Sequence, residues 1–414
     1  MADTGALESQ LSAINRWDPK VEALVDWDES AARERARETG CGPLAGWSVA
    51  VKDIIDLAGM PTRCNADFVP VQSAPKNAAI VDALLTRGAF VMSKSVTTTF
   101  AYSDPGPTRN PWNLDHTPGG SSSGSAAAVA CGMARLALGS QTVGSVNRPA
   151  SFCGVVGFKP TFAWFSVDGI FPFAPSVDTV GFFTSNVHDV QTTYSAVSGE
   201  PSQEAQMPLR IAYVPDQLCE SAEPAMLEAI EAASRRLSAA GHDVSERSLP
   251  GLLTAAHDNH WELVAAEVAQ SHRDLFSKYG ASYTPKLRDL IERGHRVEKS
   301  RVEEIQTHRR QCIDRIDELF DTYDLLLTAS APGPAPHGLD STGEPRMNLL
   351  WTYVGFPTLT LPMSLDASGL PLGMQLVGRR KKDQALLASG TVIEPLLAFT
   401  DKPSLRQERG TRSK

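Results

Sequence analysis

The sequence predicts an α/β protein, a sheet with helices packed on it. Two observations carry this. Short apolar runs bounded by Gly or Pro recur along the chain, and helical segments lie between several of them. The composition agrees: hydrophobic residues make up 42% and charged residues 21% of 414 residues, ordinary for a globular chain and far from disorder. At roughly 100–200 residues per domain, this length allows two or three domains or one large one.

In chain order, Leu7 to about Glu38 reads as amphipathic helices, with apolar positions at Leu7, Leu11 and Ile14, then Val21, Leu24 and Val25. From Trp47 the texture changes to strand-like runs. These are Trp47–Val51, Ala89–Met92, Leu136–Leu138, Val155–Phe158, Arg210–Val214, Leu325–Leu327, Thr358–Leu361 and Met374–Val377. Ala79–Arg87 and Ser125–Met133 read as helices between them. From Ser221 to Tyr323 the chain is mostly helical and charged. Trp261, Val264, Val268 and Leu275 share one face there, as do Cys312, Ile313, Ile316 and Phe320. This block is either a cap over a site or a covering layer. No internal repeat is visible, and the tail from Ser404 is mostly polar.

Acids outnumber bases 48 to 39, a net charge of −9, which argues against nucleic acid as a partner. No apolar run reaches transmembrane length, and the N-terminus shows no secretory signal. Cys41, Cys64, Cys131, Cys153, Cys219 and Cys312 are scattered with no CxxC pair. That pattern fits buried free thiols in a reducing compartment, here the cytoplasm, better than disulfides or a zinc site. His257 and His260 have ligand-like spacing, but no third ligand is evident and no metal site is expected.

One stretch stands apart. Residues 106–160 are dominated by small residues, with Gly119, Gly120 and Gly124 around Ser121, Ser122, Ser123 and Ser125. A Gly/Ser loop running into Ala126–Ala130 reads either as a helix N-terminus with free N–H groups or as a flexible turn. A second small-residue run, Gly139–Ser145, follows within 25 residues and weakens the second alternative. Familiar motifs fail here. Gly120–Gly124 matches G-x-S-x-G formally, but no strand precedes it. The Gly-Lys-Ser/Thr of a phosphate loop is missing. Ser73 to Lys76 matches S-x-x-K, yet Pro75 breaks the helix that pattern needs.

The segments GGSSSGSAAAVA and GSQTVGSVNRPASFCGVVGFKP, with GWSVAVKDIIDLAGMPT upstream and EPRMNLLWTYVGFPTLTLPMSLDASGLPLGMQLVGRR downstream, resemble the amidase signature family. The resemblance runs from about residue 43 to about 380, sparing the helical middle. It is closest to the short malonamidase-type members. It implies one domain over 1–414 with a large mixed β-sheet covered on both faces by α-helices. Its parts are a helical segment to about 40, a catalytic signature over about 43–165, the insertion over about 221–323 and C-terminal strands over about 324–380.

The same resemblance implies a Ser–cis-Ser–Lys triad: Ser145 as nucleophile, Ser121 as the bridging serine in a cis peptide, and Lys52 as base. It implies an oxyanion hole from the N–H groups of Thr142, Val143, Gly144 and Ser145. No metal or organic cofactor is implied, and the partner is a small-molecule amide. A homodimer is left open.

Physical chemistry is consistent with these roles. A serine hydroxyl needs a neighbour to take its proton, and a lysine can serve only when neutral. The alternative for Lys52 is an edge-strand lysine that discourages aggregation. Ser122 reads as support for the triad or as a turn serine, and His116 as a turn histidine. Val143 stands where relatives carry glycine, so either its φ is ordinary or the hole is distorted, and its side chain is expected to narrow the acyl pocket. Gln141 replaces an acid, as in the malonamidase-like branch. Arg148, three residues after Ser145, is a candidate carboxylate anchor or a structural arginine holding the loop around Pro149 and Ala150. Thr99 stands where relatives often carry Glu.

The expected function is an amidohydrolase working through an acyl-enzyme. Alternatives are an acyl transferase or ester/carbamate hydrolase with the same triad, the amidase component of a tRNA-dependent amidotransferase, and an inactive binding homologue. Chain length and the malonamidase-like second motif count against the amidotransferase component.

Overall fold

The structure, a computed structural model, describes residues 4–215 and 222–404; Cys219 and the tail beyond Ser404 lie outside them. Eleven strands form one mixed sheet in the order β1-β3-β2-β4-β6-β5-β10-β11-β9-β7-β8. They are β1 (Leu24–Val25), β2 (Ser48–Lys52), β3 (Phe90–Ser95), β4 (Leu136–Gln141), β5 (Val156–Lys159), β6 (Thr179–Thr184), β7 (Arg210–Tyr213), β8 (Asp243–Glu246), β9 (Leu325–Ala329), β10 (Thr358–Leu365) and β11 (Pro371–Val377). β2 lies parallel to β3 and β4. From β4 through β6, β5, β10 and β11 to β9 the pairing is antiparallel. It returns to parallel at β9, β7 and β8.

All eight strand-like runs of the sequence are strands. Three further strands complete the sheet. Leu24 and Val25, read with the N-terminal helices, instead pair with Ser95 and Lys94 as edge strand β1. β8 lies inside the block read as mostly helical. β6 carries the run TVGFFT, in which Gly181 breaks the side-chain pattern; a Cβ there would lie 2.4 Å from Val146 Cγ2.

The helices are α1 (Thr4–Val21), α2 (Glu29–Arg37), α3 (Ala79–Leu85), α4 (Ser123–Ala130), α5 (Asn147–Cys153), α6 (Val187–Ser198), α7 (Pro224–Ala239), α8 (Ala256–Ser271), α9 (Arg273–Tyr279), α10 (Pro285–Gly294), α11 (Lys299–Asp317), α12 (Arg346–Val354) and α13 (Asp383–Leu397). Strand alternation sorts the core into two layers. Val49, Val51, Leu136, Leu138 and Phe182 join one cluster, with α3, α6, α8 and α12. Ala50, Ala137 and Phe183 join the other, with α1, α2 and α4. The face expected to run from Trp261 to Leu275 is interrupted at His272, where α8 ends and α9 begins. Among the described residues, no helix is long and apolar enough to cross a membrane. Cys41, Cys64, Cys131, Cys153 and Cys312 are free thiols.

Candidate active site

β2 delivers Lys52 to the centre of the sheet, where it is 0% exposed. Its Nζ donates to Ser121 Oγ at 2.7 Å and to Ser140 Oγ at 2.8 Å. Burial pushes the amine down to about 7; the carboxylate of Asp178 works against this. Lys52 is therefore not an edge-strand lysine: β2 is flanked by β3 and β4.

Ser121 lies in the loop before α4, and the Gly120–Ser121 peptide is cis. The loop is fixed on several sides. Thr98 N donates to Ser121 O at 3.2 Å. Arg148 Nη2 donates to Gly120 O at 2.7 Å. Gly119 has φ +81°, and a Cβ there would lie 2.8 Å from Pro149 Cα, so glycine is needed on both counts. Ser122 Oγ accepts from Ser140 N and donates to Ser140 O, both at 3.3 Å, and so ties this loop to β4 beside the lysine. The N-terminus of α4 is not an open anion site: Gly124 N donates to Val96 O at 3.0 Å.

The second small-residue run forms the turn from β4 into α5. Gln141 organises it. Its Oε1 accepts from Val146 N at 2.7 Å and Asn147 N at 3.1 Å, while its Nε2 donates to Asn147 Oδ1 and Thr352 Oγ1. An amide serves both roles at once, which a carboxylate cannot. Thr352 Oγ1 also donates to Val143 O at 2.7 Å. Because the peptide is planar, this points the N–H of Gly144 the opposite way. A Cβ on Gly144 would lie 2.6 Å from Asn348 Oδ1, so α12 packs directly against the turn. The N–H groups of Thr142, Val143, Gly144 and Ser145 donate to no protein group among the described residues. Neither Val143 nor Gly144 takes positive φ. Of the two alternatives for Val143, the backbone has the ordinary one.

Ser145 is 8% exposed, and its Oγ makes no hydrogen bond among the described residues. A pocket of about 150 Å³ adjoins this region. Ser140, Thr142 and Asp178 form its polar side, and Ile54, Ile170 and Phe173 belong to its apolar wall. Neither Val143 nor Ser145 belongs to its wall.

Arg148 is held by loop contacts, while its buried Nε has no hydrogen-bond partner among the described residues. Nη1 donates to Gly343 O at 2.7 Å, and Nη2 to Gly120 O at 2.7 Å and Thr342 Oγ1 at 3.1 Å. The planar fork clamps the serine loop to the segment before α12. We expect Arg148→Met to orphan the buried Gly120 carbonyl at about 1–3 kcal/mol and the part-buried Gly343 carbonyl at less, read as a lowered thermal midpoint together with lost turnover. A variant with unchanged melting and lost turnover only on acidic amides would restore the anchor role.

The other candidates lie apart from this chemistry. His116 Nδ1 bonds Ala335 O at 2.8 Å in a turn. Thr99 Oγ1 accepts from Asn65 Nδ2. His257 is paired with Asp258, His260 is buried, and no group of three or more His, Cys, Asp or Glu residues is placed to hold a metal among the described residues. Cys131 and Cys153 are buried, and burial pushes both thiols up.

Two residues near Lys52 carry no signal in the linear chain that marks them for the site. Ser140 lies inside the second small-residue run and is the second hydrogen-bond partner of Lys52. Asp178, on the turn before β6, sits in an unremarkable stretch.

A family model described as amidase matches residues 6–387. A component of the glutamyl-tRNA(Gln) amidotransferase of Symbiobacterium thermophilum is 30% identical over 468 aligned positions, spanning 97% of this chain and 95% of the relative. A 2-amino-5-chloromuconic acid deaminase of Comamonas testosteroni is 30% identical over 92% of this chain and 90% of its own. A crystal structure of an amidase superposes with a TM-score of 0.87 at 29% identity, covering 95% of this chain and 96% of that one. The alignment spans nearly all of the amidotransferase component, and its 468 positions exceed the 414 residues of this chain.

Proposed function

This chain belongs to the amidase family and is an amide-cleaving hydrolase, and from that premise we propose that it cleaves small neutral carboxamides through an acyl-enzyme on Ser145. The observation that carries the reading is the buried Lys52 amine at 2.7 Å from Ser121 Oγ, with its pKa lowered to about 7. A neutral amine at physiological pH can accept a proton, and an ammonium cannot.

Ser145 Oγ attacks the carbonyl carbon while its proton passes to Ser121 Oγ, whose own proton moves to Lys52 Nζ. The negative charge formed on the carbonyl oxygen is met by the unengaged N–H groups of Thr142 to Ser145. When the C–N bond breaks, the nitrogen takes the proton back along the same route and leaves as amine or ammonia. Water then cleaves the ester on Ser145 by the reverse relay, releasing the acid. Every proton in this scheme has a side chain to carry it, so the scheme calls for no metal or organic cofactor. Arg148 acts here by holding the Gly120 carbonyl.

The pocket favours a small apolar acyl group. Its wall is mostly hydrocarbon, and its charged side is the carboxylate of Asp178, which repels an acidic substrate. We expect neutral aliphatic or aryl amides to be turned over at least about ten-fold faster than chain-matched amides bearing a carboxylate. Hydrolysis of a matched panel followed by ammonia release checks this, and a preference for the acidic amides would refute it.

A second reading, one component of an amidotransferase, is favoured by the similarity to the S. thermophilum protein. Glutamine hydrolysis that appears only with a co-purified partner chain would support it over the first. Hydroxamate formation with added hydroxylamine separates acyl transfer from hydrolysis. The free thiols at all described cysteines support a cytoplasmic setting.

A further inference from the structure

Asp178 is the one charged group in the pocket wall that the scheme above leaves without a task. Its Oδ2 accepts from Phe173 N and Ala174 N, both at 2.9 Å, closing the turn before β6. Its Oδ1 accepts from Thr142 Oγ1 at 2.5 Å. Thr142 is the first residue of the turn whose N–H groups are unengaged. The carboxylate thus grips the head of that turn. It also lines the same pocket as Ser140, a hydrogen-bond partner of Lys52.

The charges around this pair are few. Asp178 and the Cys64 thiol face Lys52. Cys64 is pushed up by burial and stays a neutral thiol; around it stand Asp53, Asp56 and Lys94, of which Asp53 and Lys94 pair at 2.8 Å. On the other side Glu267 of α8 faces Asp178. Its carboxylate accepts from Ser176 N at 2.9 Å and from Ser176 Oγ at 2.5 Å, and Arg309 of α11 donates to Ser176 O at 2.9 Å. Helices of the 221–323 block therefore brace the turn that Asp178 closes.

We propose that Asp178 is a positioning residue for amide cleavage, fixing Thr142 at the head of the oxyanion turn and holding a negative charge in the pocket wall beside Ser140, the hydrogen-bond partner of Lys52. This rests on the reading of Lys52 as base. Burial disfavours the ammonium and the nearby carboxylate favours it, so the two act in opposite directions on one amine. The anion opposes burial and so helps hold the crossover close to working pH, where general-base efficiency is greatest.

The test is the pH dependence of fluorophosphonate labelling of the full chain. Asp178→Asn keeps the bonds and removes the charge: the amide oxygen accepts from Phe173 and Ala174, and its NH2 donates to the Thr142 hydroxyl. The acid limb of the labelling rate is expected to move to lower pH by about one unit. Thr142→Val keeps the charge and removes the grip. It is expected to slow labelling by about ten-fold at every pH, with the acid limb unmoved. An acid limb that stays put or moves upward in Asp178→Asn overturns the charge role. A Thr142→Val enzyme that labels at the native rate overturns the grip. Should Asp178→Asn not fold, Asp178→Ser is read by the same limb. If the native chain is labelled elsewhere than Ser145, the assignment of the nucleophile has failed, and the proposal falls with it. A native chain labelled on Ser145 with an unshifted Asp178→Asn limb fails the proposal alone.

Discussion

Ser145→Ala is expected to abolish labelling by a fluorophosphonate probe and to lower amide turnover by at least about 10⁴-fold while leaving the thermal midpoint within a degree or two. The hydroxyl makes no protein hydrogen bond among the described residues, so its removal orphans no partner. The surrounding turn is held instead by Gln141 Oε1 and by Thr352 Oγ1 on Val143 O. Loss of activity with an intact fold would therefore report chemistry. Mass spectrometry of the adduct locates the labelled serine. Equal labelling of native and variant chains would remove Ser145 from the mechanism and direct attention to Ser121 or Ser140.

Lys52→Ala should cost at least about 10³-fold at neutral pH, and Lys52→Arg about as much. The arginine comparison is the sharper one. A guanidinium stays protonated throughout the accessible range, so it can donate to Ser121 Oγ but never accept its proton. In the native chain, the sign of the pH dependence follows from the direction of the shift. Burial disfavours the ammonium, so the free amine predominates above about 7 and activity rises as pH passes upward through that value. A rate independent of pH from 5 to 9, or a Lys52→Arg variant with near-native turnover, would end the assignment of Lys52 as base.

Much of the sheet was legible because its interior strands are buried on both sides and read as short apolar runs between Gly and Pro. The three missed strands each lack that signature. β1 is only Leu24–Val25, too short to show alternation. β8, Asp243–Glu246, is a polar edge strand inside a helical stretch. β6 is interrupted by Gly181, whose bare Cα makes room for Val146. The candidate site divides in a similar way. Ser121, Ser145 and the turn from Thr142 were recognisable because they sit in compact runs of small residues that carry the family resemblance. Ser140 lay in plain view in the same run, but strand alternation alone does not say which serine meets Lys52. Asp178 was beyond reach, since 126 positions separate it from Lys52 and nothing around it is unusual.

The sequence by itself indicated the reaction class through its resemblance to the amidase signature family, carried by the segments around Lys52, Ser121 and Ser145. Those segments are legible in the linear chain. Only the tertiary structure decided the state and employment of the groups. The sequence left Arg148 open between substrate anchor and loop clamp; its contacts to Gly120, Thr342 and Gly343 favour the clamp. Lys52 was a base candidate from the resemblance, and the sheet that buries it pushes its amine down to about 7. Burial and electrostatic fields are set by what lies within a few ångströms in space, and residues far apart in the chain supply most of it.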